Sequence, residues 1–393
     1  MTGERHIRNG KATGPLVRFV MLYAALFAAY GVASPFLPTF LAERGLGSNA
    51  IAAVLAAGTA IRLVAAPLGC RLADRCGAPR AVLMAFFVIA PFSALLYLVA
   101  DGWTALLLVS VLQAAILAPL LPIADALTLI AAGKLGFQYG WVRGAGSAAY
   151  ILGTVFSGLA VGRFGLGAAI WLNAALLAAG AAVARVVPRP PSPAPASRLA
   201  RGGMGTLLRL PWFRRLLLVA ALVQGSHALH DVFAVIRWEA HGISPAAAGL
   251  LWSEAVAAEV IVFAGIGRTV LDRLGVATAA MVAAAAGVLR WGVLAETAWL
   301  PAAALVEPLH GATYALLHLA CMRLIGSRVP QQLAATAQAL YGTLAVGLAM
   351  ASLTLASGPL YQHLGARSFW VMAALCAAAL PLANGLRRAE SSA

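Results

Sequence analysis

The chain has 393 residues, of which 62% are hydrophobic and only 10% are charged, and its formal net charge is +15. A water-soluble protein of this length carries far more charge, and the short alternating segments of an outer-membrane barrel are absent. Apolar stretches of about 20 residues, the length that a helix needs to cross a bilayer, recur along the chain. The composition therefore predicts an all-α integral membrane protein.

Six spans are predicted in the first half, near residues 16–41, 49–71, 80–100, 104–131, 138–162 and 166–187. The first is too long for the apolar core of a signal peptide, so we interpret it as a spanning helix. Proline removes a helical hydrogen bond and kinks a helix. Kinks are therefore predicted in the first span, at Pro35 and Pro38, and in the fourth, at Pro119 and Pro122.

A proline-rich, charged stretch follows the sixth span, and this composition is typical of an extended linker. Six more spans are predicted near residues 214–236, 245–268, 275–295, 299–325, 333–357 and 368–386. The sequence thus predicts twelve transmembrane helices in three parts: an N-terminal six-helix bundle at 1–187, a cytoplasmic linker at 188–213 and a C-terminal six-helix bundle at 214–393.

The basic residues are concentrated in alternate loops, near residues 5–18, 71–80, 134, 185–215, 268–273, 323–328 and 387–388. The intervening loops carry few of them. This asymmetry follows the positive-inside rule and predicts that both termini are cytoplasmic. The positive charge is thereby explained by membrane topology, and we do not expect a nucleic-acid partner.

The two halves of the chain repeat. Gly45 and Gly242 are equivalent at an offset of 197 residues, and Gly165 and Gly365 at an offset of 200. Between them a loop motif recurs with identical spacing, as Asp74, Arg75 and Gly77 and again as Asp272, Arg273 and Gly275. A parallel repeat of six helices predicts two pseudo-symmetric bundles related by an axis along the membrane normal.

Arg62 and Glu259 occupy equivalent places in this repeat, each 17 residues after its anchor glycine, Gly45 or Gly242. Burying a charge within a spanning helix costs on the order of 2.5–3.5 kcal/mol, so such a residue faces a cavity or a partner. Opposite charges at equivalent positions predict a binding site between two half-molecules, as in secondary transporters. Arg62 is expected to attract an anionic group or to neutralise Glu259.

The segment Leu72-Ala73-Asp74-Arg75-Cys76-Gly77 resembles the loop signature of the major facilitator superfamily between helices two and three. Within that superfamily the chain is similar to the 3-phenylpropionate transporter group, which is related to sugar and nucleoside proton symporters. The similarity lies mainly in second-half motifs: Gln224-Gly225-Ser226-His227-Ala228, Ala258-Glu259-Val260-Ile261, Arg290-Trp291-Gly292, Leu309-His310 and His318-Leu319-Ala320-Cys321-Met322-Arg323.

The resemblance implies the major facilitator fold and proton symport of a small aromatic carboxylate by alternating access. We expect a bacterial inner-membrane monomer with no enzymatic activity, whose partners are the solute, protons and the bilayer. No cofactor is expected. His227, His230 and Asp231 lack a fourth ligand, so no metal site is predicted.

Three acidic residues depart from the resemblance, because Asp231, Glu254 and Glu307 stand where uncharged residues are expected. Five acids within the spans, against three arginines, disfavour an anionic solute. Two alternatives therefore stay open: proton symport of a neutral nucleoside or sugar, and export of a cationic drug by proton antiport. A membrane sensor or scaffold that transports nothing would have little reason to place ionisable groups at mid-depth.

Depth along the helices suggests ion pairs. Asp125 lies nine residues before Lys134, where the fourth and fifth spans meet, and Arg143 lies nine after it. At about 1.5 Å per residue both reach a similar depth, so we predict a structural or gating ion pair. By the same argument Arg290 is level with Glu307 and not far from Glu259, and the sequence does not choose between these partners.

Glu259 is the predicted proton carrier, because burial raises and a nearby arginine lowers the proton affinity of a carboxylate. Arg290, Glu307 and His310 are predicted to take part in proton coupling, since histidine titrates near physiological pH. The predicted substrate contacts are Arg62 by charge, Gln224 by hydrogen bonding, His227 as cavity lining, and the aromatic residues Tyr30, Trp252 and Tyr341.

Overall fold

The computed structural model describes residues 3–188 and 203–387, with side chains from residue 14 and from residue 204 onward. All regular secondary structure in these residues is helical. Residues 189–202, which hold most of the predicted linker and several of its basic residues, lie outside the described residues, as does Arg388.

Residues 3–188 form eight helices: α1 Gly3–Ala33, α2 Leu37–Glu43, α3 Ser48–Cys76, α4 Pro79–Val99, α5 Gly102–Leu117, α6 Leu120–Leu135, α7 Tyr139–Phe164 and α8 Gly167–Ala184. Two of the breaks fall where prolines predict them. The α-helix is interrupted between α1 and α2 next to Pro35, and between α5 and α6 at Pro119. Each proline lacks the backbone N–H that a continuous helix needs.

The second half is more irregular. Its α-helices are α9 Gly203–Arg209, α10 Pro211–Gly225, α11 His227–Ala240, α12 Pro245–Ile261, α13 Gly267–Glu296, α14 Leu300–Val306, α15 Leu317–Arg328, α16 Ala334–Leu340, α17 Ala349–Leu364 and α18 Ser368–Asn384. Three π-helical segments interrupt the spans, at Val262–Ile266, Gly311–Leu316 and Tyr341–Leu348. Such segments are frequently found at functional sites.

Nine helical stretches of the described residues are long and apolar enough to cross a membrane. Two of them, Pro245–Glu296 and one running from residue 331 to 384, have 52 and 54 residues. At 1.5 Å per residue each would extend roughly 80 Å, more than twice the thickness of a hydrocarbon core. The first changes direction at Gly275, whose φ is 75° and ψ 169°, and the second at Gly365. The count of twelve helices in two bundles of six stays a prediction.

The chain divides into two compact units. The first comprises Met1–Gly45 and Ala60–Ala196, and the second comprises Leu46–Thr59 and Ser197–Ala393. In the first unit α1 packs against α7 and α8, and in the second α13 packs against α18. The beginning of α3 belongs to the second unit, where Asn49 and Ala52 lie against Gly358. The predicted domain boundaries had kept all of α3 with the first half.

The repeat extends to the backbone conformation. Glycines with positive φ stand at all three pairs of repeat anchors: Gly45 and Gly242 at 83° and 81°, Gly77 and Gly275 at 59° and 75°, and Gly165 and Gly365 at 80° and 53°. Residues with a Cβ rarely adopt this region, whereas glycine enters it at no steric cost. The loop motif therefore ends in glycine in both halves because the chain turns there.

Close helix contact holds α1 against α7. A Cβ added at Gly153 would lie 2.6 Å from the backbone oxygen of Ala28, and one added at Gly31 would lie 2.2 Å from that of Tyr150. Small residues at a membrane helix interface allow this approach, and tight van der Waals packing then stabilises the pair.

We expect Gly153→Ala to lower the stability of the protein by about 1–3 kcal/mol, because the added methyl group forces these two backbones apart. Gly144→Ala on the same helix is the matched control, since a Cβ there meets nothing within 4 Å. It should be neutral or stabilising by up to about 1 kcal/mol, as alanine favours a helix more than glycine does. Thermal unfolding of the purified protein in detergent measures both. Equal stability of the two variants would contradict the proposed packing.

Candidate functional site

A cluster of ionisable side chains lies inside the second unit. It is assembled from α11, α12, α13 and the broken helix that runs from α14 to α15. There α14 ends at Val306, a 3-10 turn spans Glu307–Leu309, and the π-helical segment begins at Gly311. Pro308 lacks the backbone N–H that would continue the α-helix. The irregular turn therefore follows directly from the sequence, and it carries Glu307 and His310 into the unit.

The centre of the cluster is an ion pair between Arg290 and Glu307, whose side chains are both 0% exposed. Arg290 Nη2 donates to Glu307 Oε2 over 2.5 Å. The guanidinium of Arg290 also lies over the ring of Trp291, 4.5 Å from its centroid. Of the two partners that the sequence left open for Arg290, the structure selects Glu307 as the direct one.

His310 connects this pair to Glu259. Its Nδ1 lies 3.2 Å from Arg290 Nη1, and its Nε2 lies 3.3 Å from Glu259 Oε2. Because a guanidinium only donates, Nδ1 must accept and the proton of the neutral ring must reside on Nε2. His310 therefore donates to Glu259, and all four residues predicted for proton coupling form one continuous network.

His230 adds a branch that the sequence reasoning missed. Its Nε2 lies 3.1 Å from Glu307 Oε1, and its Nδ1 lies 3.4 Å from Asp231 Oδ1. A depth argument would have found this contact, because His230 is ten residues before the end of α11 and Glu307 seven after the start of α14. The sequence reasoning had considered His230 as a metal ligand, as cavity lining or as a polar contact between helices, and it named no partner for it.

A second series of hydrogen-bonded side chains lies beside this cluster. His227 Nδ1 lies 2.9 Å from the backbone oxygen of Gln224, and its Nε2 lies 2.9 Å from Thr313 Oγ1. Gln224 Nε2 donates to the hydroxyl of Tyr341 over 2.9 Å, and that hydroxyl lies 3.1 Å from His318 Nδ1. Both ring nitrogens of His227 are thus engaged within the protein, which leaves its ring faces for any contact with a solute.

The other predicted substrate contacts of this unit are also buried. Trp252 is 8% exposed and stacks on His230 with ring centroids 5.2 Å apart. Tyr341 is 3% exposed. Gln224 Oε1 is buried and makes no hydrogen bond within the described residues. Direct contact of these three residues with a solute stays a prediction, and Gln224 retains an unused acceptor for it.

In the first unit, Arg62 is exposed and forms no hydrogen bond or ion pair with any described residue. Its guanidinium lies close enough to the hydroxyls of Tyr30 and Tyr97 to interact with them electrostatically. The hydroxyl of Tyr30 donates to the backbone oxygen of Leu117 over 3.2 Å, at the break between α5 and α6. Arg62 thus presents an uncompensated cation beside aromatic side chains.

The predicted ion pair between Asp125 and Arg143 is wrong. The Asp125 carboxylate accepts hydrogen bonds from the hydroxyls of Tyr23 and Tyr139, the latter over 2.8 Å. The Arg143 guanidinium lies 4.4 Å from the centroid of the Phe27 ring, and its Nη1 is buried with no hydrogen-bond partner among the described residues. Equal depth did not bring the two charges together, because the tyrosines occupy the carboxylate. A gating role for either residue stays a prediction.

Asp272 of the loop motif forms an ion pair with Arg323 in the second unit. Arg323 Nη2 donates to Asp272 Oδ1 over 2.5 Å, and this pair is solvent-exposed. It connects the second turn of α13 to the middle of α15. In the first unit the backbone N–H of Gly77 donates to the backbone oxygen of Asp74 over 3.2 Å. The roles of Arg75 and Arg273 stay predictions.

Comparison with known proteins identifies the relatives of the chain. A family model described as MFS_1 like family matches residues 16–372. A protein of Escherichia coli (strain K12) named Probable 3-phenylpropionic acid transporter is 33% identical over 362 residues, which cover 89% of this chain and 92% of that protein. Maltose permease of Geobacillus stearothermophilus is 24% identical over 359 residues, covering 91% of each.

The fold is similar to solved transporter structures. The crystal structure of nucleoside transporter NupG superimposes with a TM-score of 0.84 at 15% sequence identity, over 95% of this chain and 98% of that one. At this identity the likeness concerns the fold alone. Because the family match spans most of the sequence and the similar proteins are transporters, the chain belongs to the MFS_1 like family and is a membrane transporter of the major facilitator superfamily.

Proposed function

We propose that this transporter is a proton-coupled symporter of a small aromatic carboxylate similar to 3-phenylpropionate, working by alternating access as a monomer in a bacterial inner membrane. The observation that carries the coupling is the continuous network Glu259–His310–Arg290–Glu307. The substrate class rests on the 33% identical relative named as a 3-phenylpropionic acid transporter. The distribution of basic loops supports cytoplasmic termini.

Glu259 is the member of the network best suited to exchange a proton with solvent. Its side chain is 25% exposed, whereas those of Arg290 and Glu307 are fully buried. His310 stands between it and the buried pair, and it can donate to Glu259 while accepting from Arg290. Protonation of Glu259 would weaken its contact with His310 and free the arginine to rearrange. This arrangement supplies a physical link between protonation and conformation.

The charge balance allows an anionic solute. Glu307 does not repel an anion as an isolated carboxylate would, because Arg290 neutralises it. Asp125 already accepts two tyrosine hydroxyls. Arg62 has no such partner among the described side chains. The acid-rich count that disfavoured an anion therefore overstates the negative charge that a solute would meet.

Uptake into proteoliposomes tests the proposal. The full-length protein, with an imposed proton gradient, is supplied with 3-phenylpropionate, a nucleoside, maltose or an organic cation, each radiolabelled. We expect gradient-driven accumulation of the aromatic acid that a proton ionophore abolishes. Accumulation of the nucleoside or maltose in its place would favour the neutral solute, which the maltose permease relative supports. Gradient-driven exit of the cation would indicate antiport.

Arg62→Ala should weaken an anionic substrate far more than a neutral one, because it removes the charge that attracts the carboxylate. We expect the apparent affinity for the aromatic acid to fall on the order of tenfold to a hundredfold, as for the loss of one charge-assisted hydrogen bond. A competition assay with 3-phenylpropionate and its uncharged amide measures the difference. Arg163→Ala, at an exposed position of α7, is the control. An equal loss for acid and amide would remove the proposed role of Arg62.

A further inference from the structure

His230 has an unusual environment that the proposed coupling does not use. Its side chain is buried, and three tryptophans surround its ring. Trp252 stacks on it at 5.2 Å with an interplanar angle of 28°, and Trp238 and Trp291 each lie 5.7 Å away between centroids. The faces of aromatic rings attract cations, and this attraction is strongest for tryptophan. The stacked face of Trp252 therefore suits a positively charged imidazole.

The contacts of its nitrogens accommodate two protonation states. In the neutral ring, Nδ1–H donates to Asp231 and Nε2 accepts from Arg290 Nη2, which lies 3.4 Å away. In the protonated ring, Nε2–H donates instead to Glu307 Oε1 at 3.1 Å. Both states leave each ring nitrogen with a partner, so neither incurs the cost of an unsatisfied buried group. A residue built in this way can gain and lose a proton without unfolding its site.

Asp231 is the accessible contact of this residue. Its side chain is 48% exposed, although His230 and Glu307 beside it are buried. Asp231 lies nine residues before the end of α11, and Glu259 lies 14 after the start of α12. At 1.5 Å per residue the two carboxylates differ in depth by roughly 8 Å, and Asp231 is the nearer to the loop between these helices. The network thus has an exposed carboxylate at each end.

We infer that His230 holds a second exchangeable proton, which enters and leaves through Asp231, so that the network has a second port distinct from Glu259. The role of this port in transport rests on the proposed function, whereas the protonation of His230 does not depend on it. A transporter with two such groups would load a proton at one end of the network and release it at the other.

Four charged or titratable groups of the described residues interact with His230: His227 and Asp231 from α11, Arg290 from α13 and Glu307 from the broken helix. Glu254 of α12 interacts with Glu307, and His310 with Arg290. The positive charge of Arg290 disfavours a second positive charge on the His230 ring. The carboxylates of Asp231 and Glu307 favour it, and both are in direct contact with the ring.

Tryptophan fluorescence tests the inference without substrate, because a protonated imidazole quenches a stacked indole more strongly than a neutral one. The purified full-length protein in detergent is titrated with acid. We expect a quenching transition that is weaker in Trp252→Phe, which keeps Trp238 and Trp291 beside the imidazole, and absent in His230→Gln. His318→Gln is the control, because His318 contacts Tyr341 and Phe263 and should leave the transition unchanged.

Asp231→Asn provides a variant that does not alter the buried core. It removes the negative charge next to His230, so the transition should move to lower pH by about one unit. A transition that persists in His230→Gln, or a midpoint that Asp231→Asn leaves in place, overturns the inference. Uptake by Glu259→Gln separates the two proposals. Gradient-driven accumulation in that variant overturns the proposed coupling through Glu259 but not the fluorescence result, and an insensitive fluorescence midpoint overturns the second port alone.

Discussion

Glu259→Gln is expected to abolish gradient-driven accumulation while leaving exchange of solute between the two sides of the membrane partly intact. Glutamine has the shape of a protonated glutamate and does not titrate, so the variant is held in one protonation state. Its Oε1 still accepts from His310 Nε2, which lies 3.3 Å from the native carboxylate, so the geometry should be preserved. Only the coupling to protons is removed.

The measurement compares two assays on the same proteoliposomes. With an imposed proton gradient, the ratio of internal to external solute should fall to about one, the value without coupling. In counterflow, which needs no net proton movement, the variant should retain activity. Glu254→Gln is the matched control, because Glu254 lies on the same helix and forms no ion pair with the described residues. Accumulation above equilibrium by Glu259→Gln would show that another residue carries the proton.

The largest effect on stability is expected at the buried ion pair. Glu307→Met leaves Arg290 charged and fully buried with no carboxylate, and breaking a buried pair in this way costs about 3–5 kcal/mol. Arg290→Met should have a similar cost for the converse reason. The double variant Arg290→Met/Glu307→Met replaces both charges with apolar side chains and should recover most of the loss, since such replacements are often close to neutral.

A double-mutant cycle on thermal unfolding in detergent measures this coupling. Gly144→Ala serves as a control for handling, because its surroundings are open. The double variant should nevertheless transport without proton coupling, because His310 and His230 both lose their connection to the centre of the network. Additive losses in the cycle would mean that the pair does not act as a unit, and would remove the argument that it organises the site.

Sequence reasoning located the members of the coupling network but not their connections. Glu259, Arg290, Glu307 and His310 were recognised because an ionisable residue inside an apolar span is costly unless it has a partner. Residue counting then placed Arg290 level with Glu307. Depth is one of two coordinates on a helix, and the other, rotation about the axis, depends on packing. For Arg290 and Glu307, helix packing sets rotations that bring the two side chains toward each other.

The same reasoning failed for Asp125 and Arg143. Residue counting gives neither the rotation of a helix about its axis nor the presence of competing hydrogen-bond donors. The hydroxyls of Tyr23 and Tyr139 satisfy the carboxylate, and Arg143 lies against Phe27 instead. His230 shows the opposite error. It was overlooked as a partner of Glu307, although both residues lie at a similar distance from the ends of their helices.

The sequence by itself determined the membrane class, the repeated pattern, the family resemblance and the list of charged residues that need partners. These features depend on composition and on spacing along one chain. Each spanning segment must by itself be long and apolar enough to cross the bilayer, and a charge within it is costly. Only the tertiary structure decided which partners meet. The Pro308 turn and the packing of α11, α12 and α13 bring Asp231, His230, Glu307, Arg290, His310 and Glu259 into one network, because hydrogen bonds require approach within about 3 Å and spacing along a chain does not specify that.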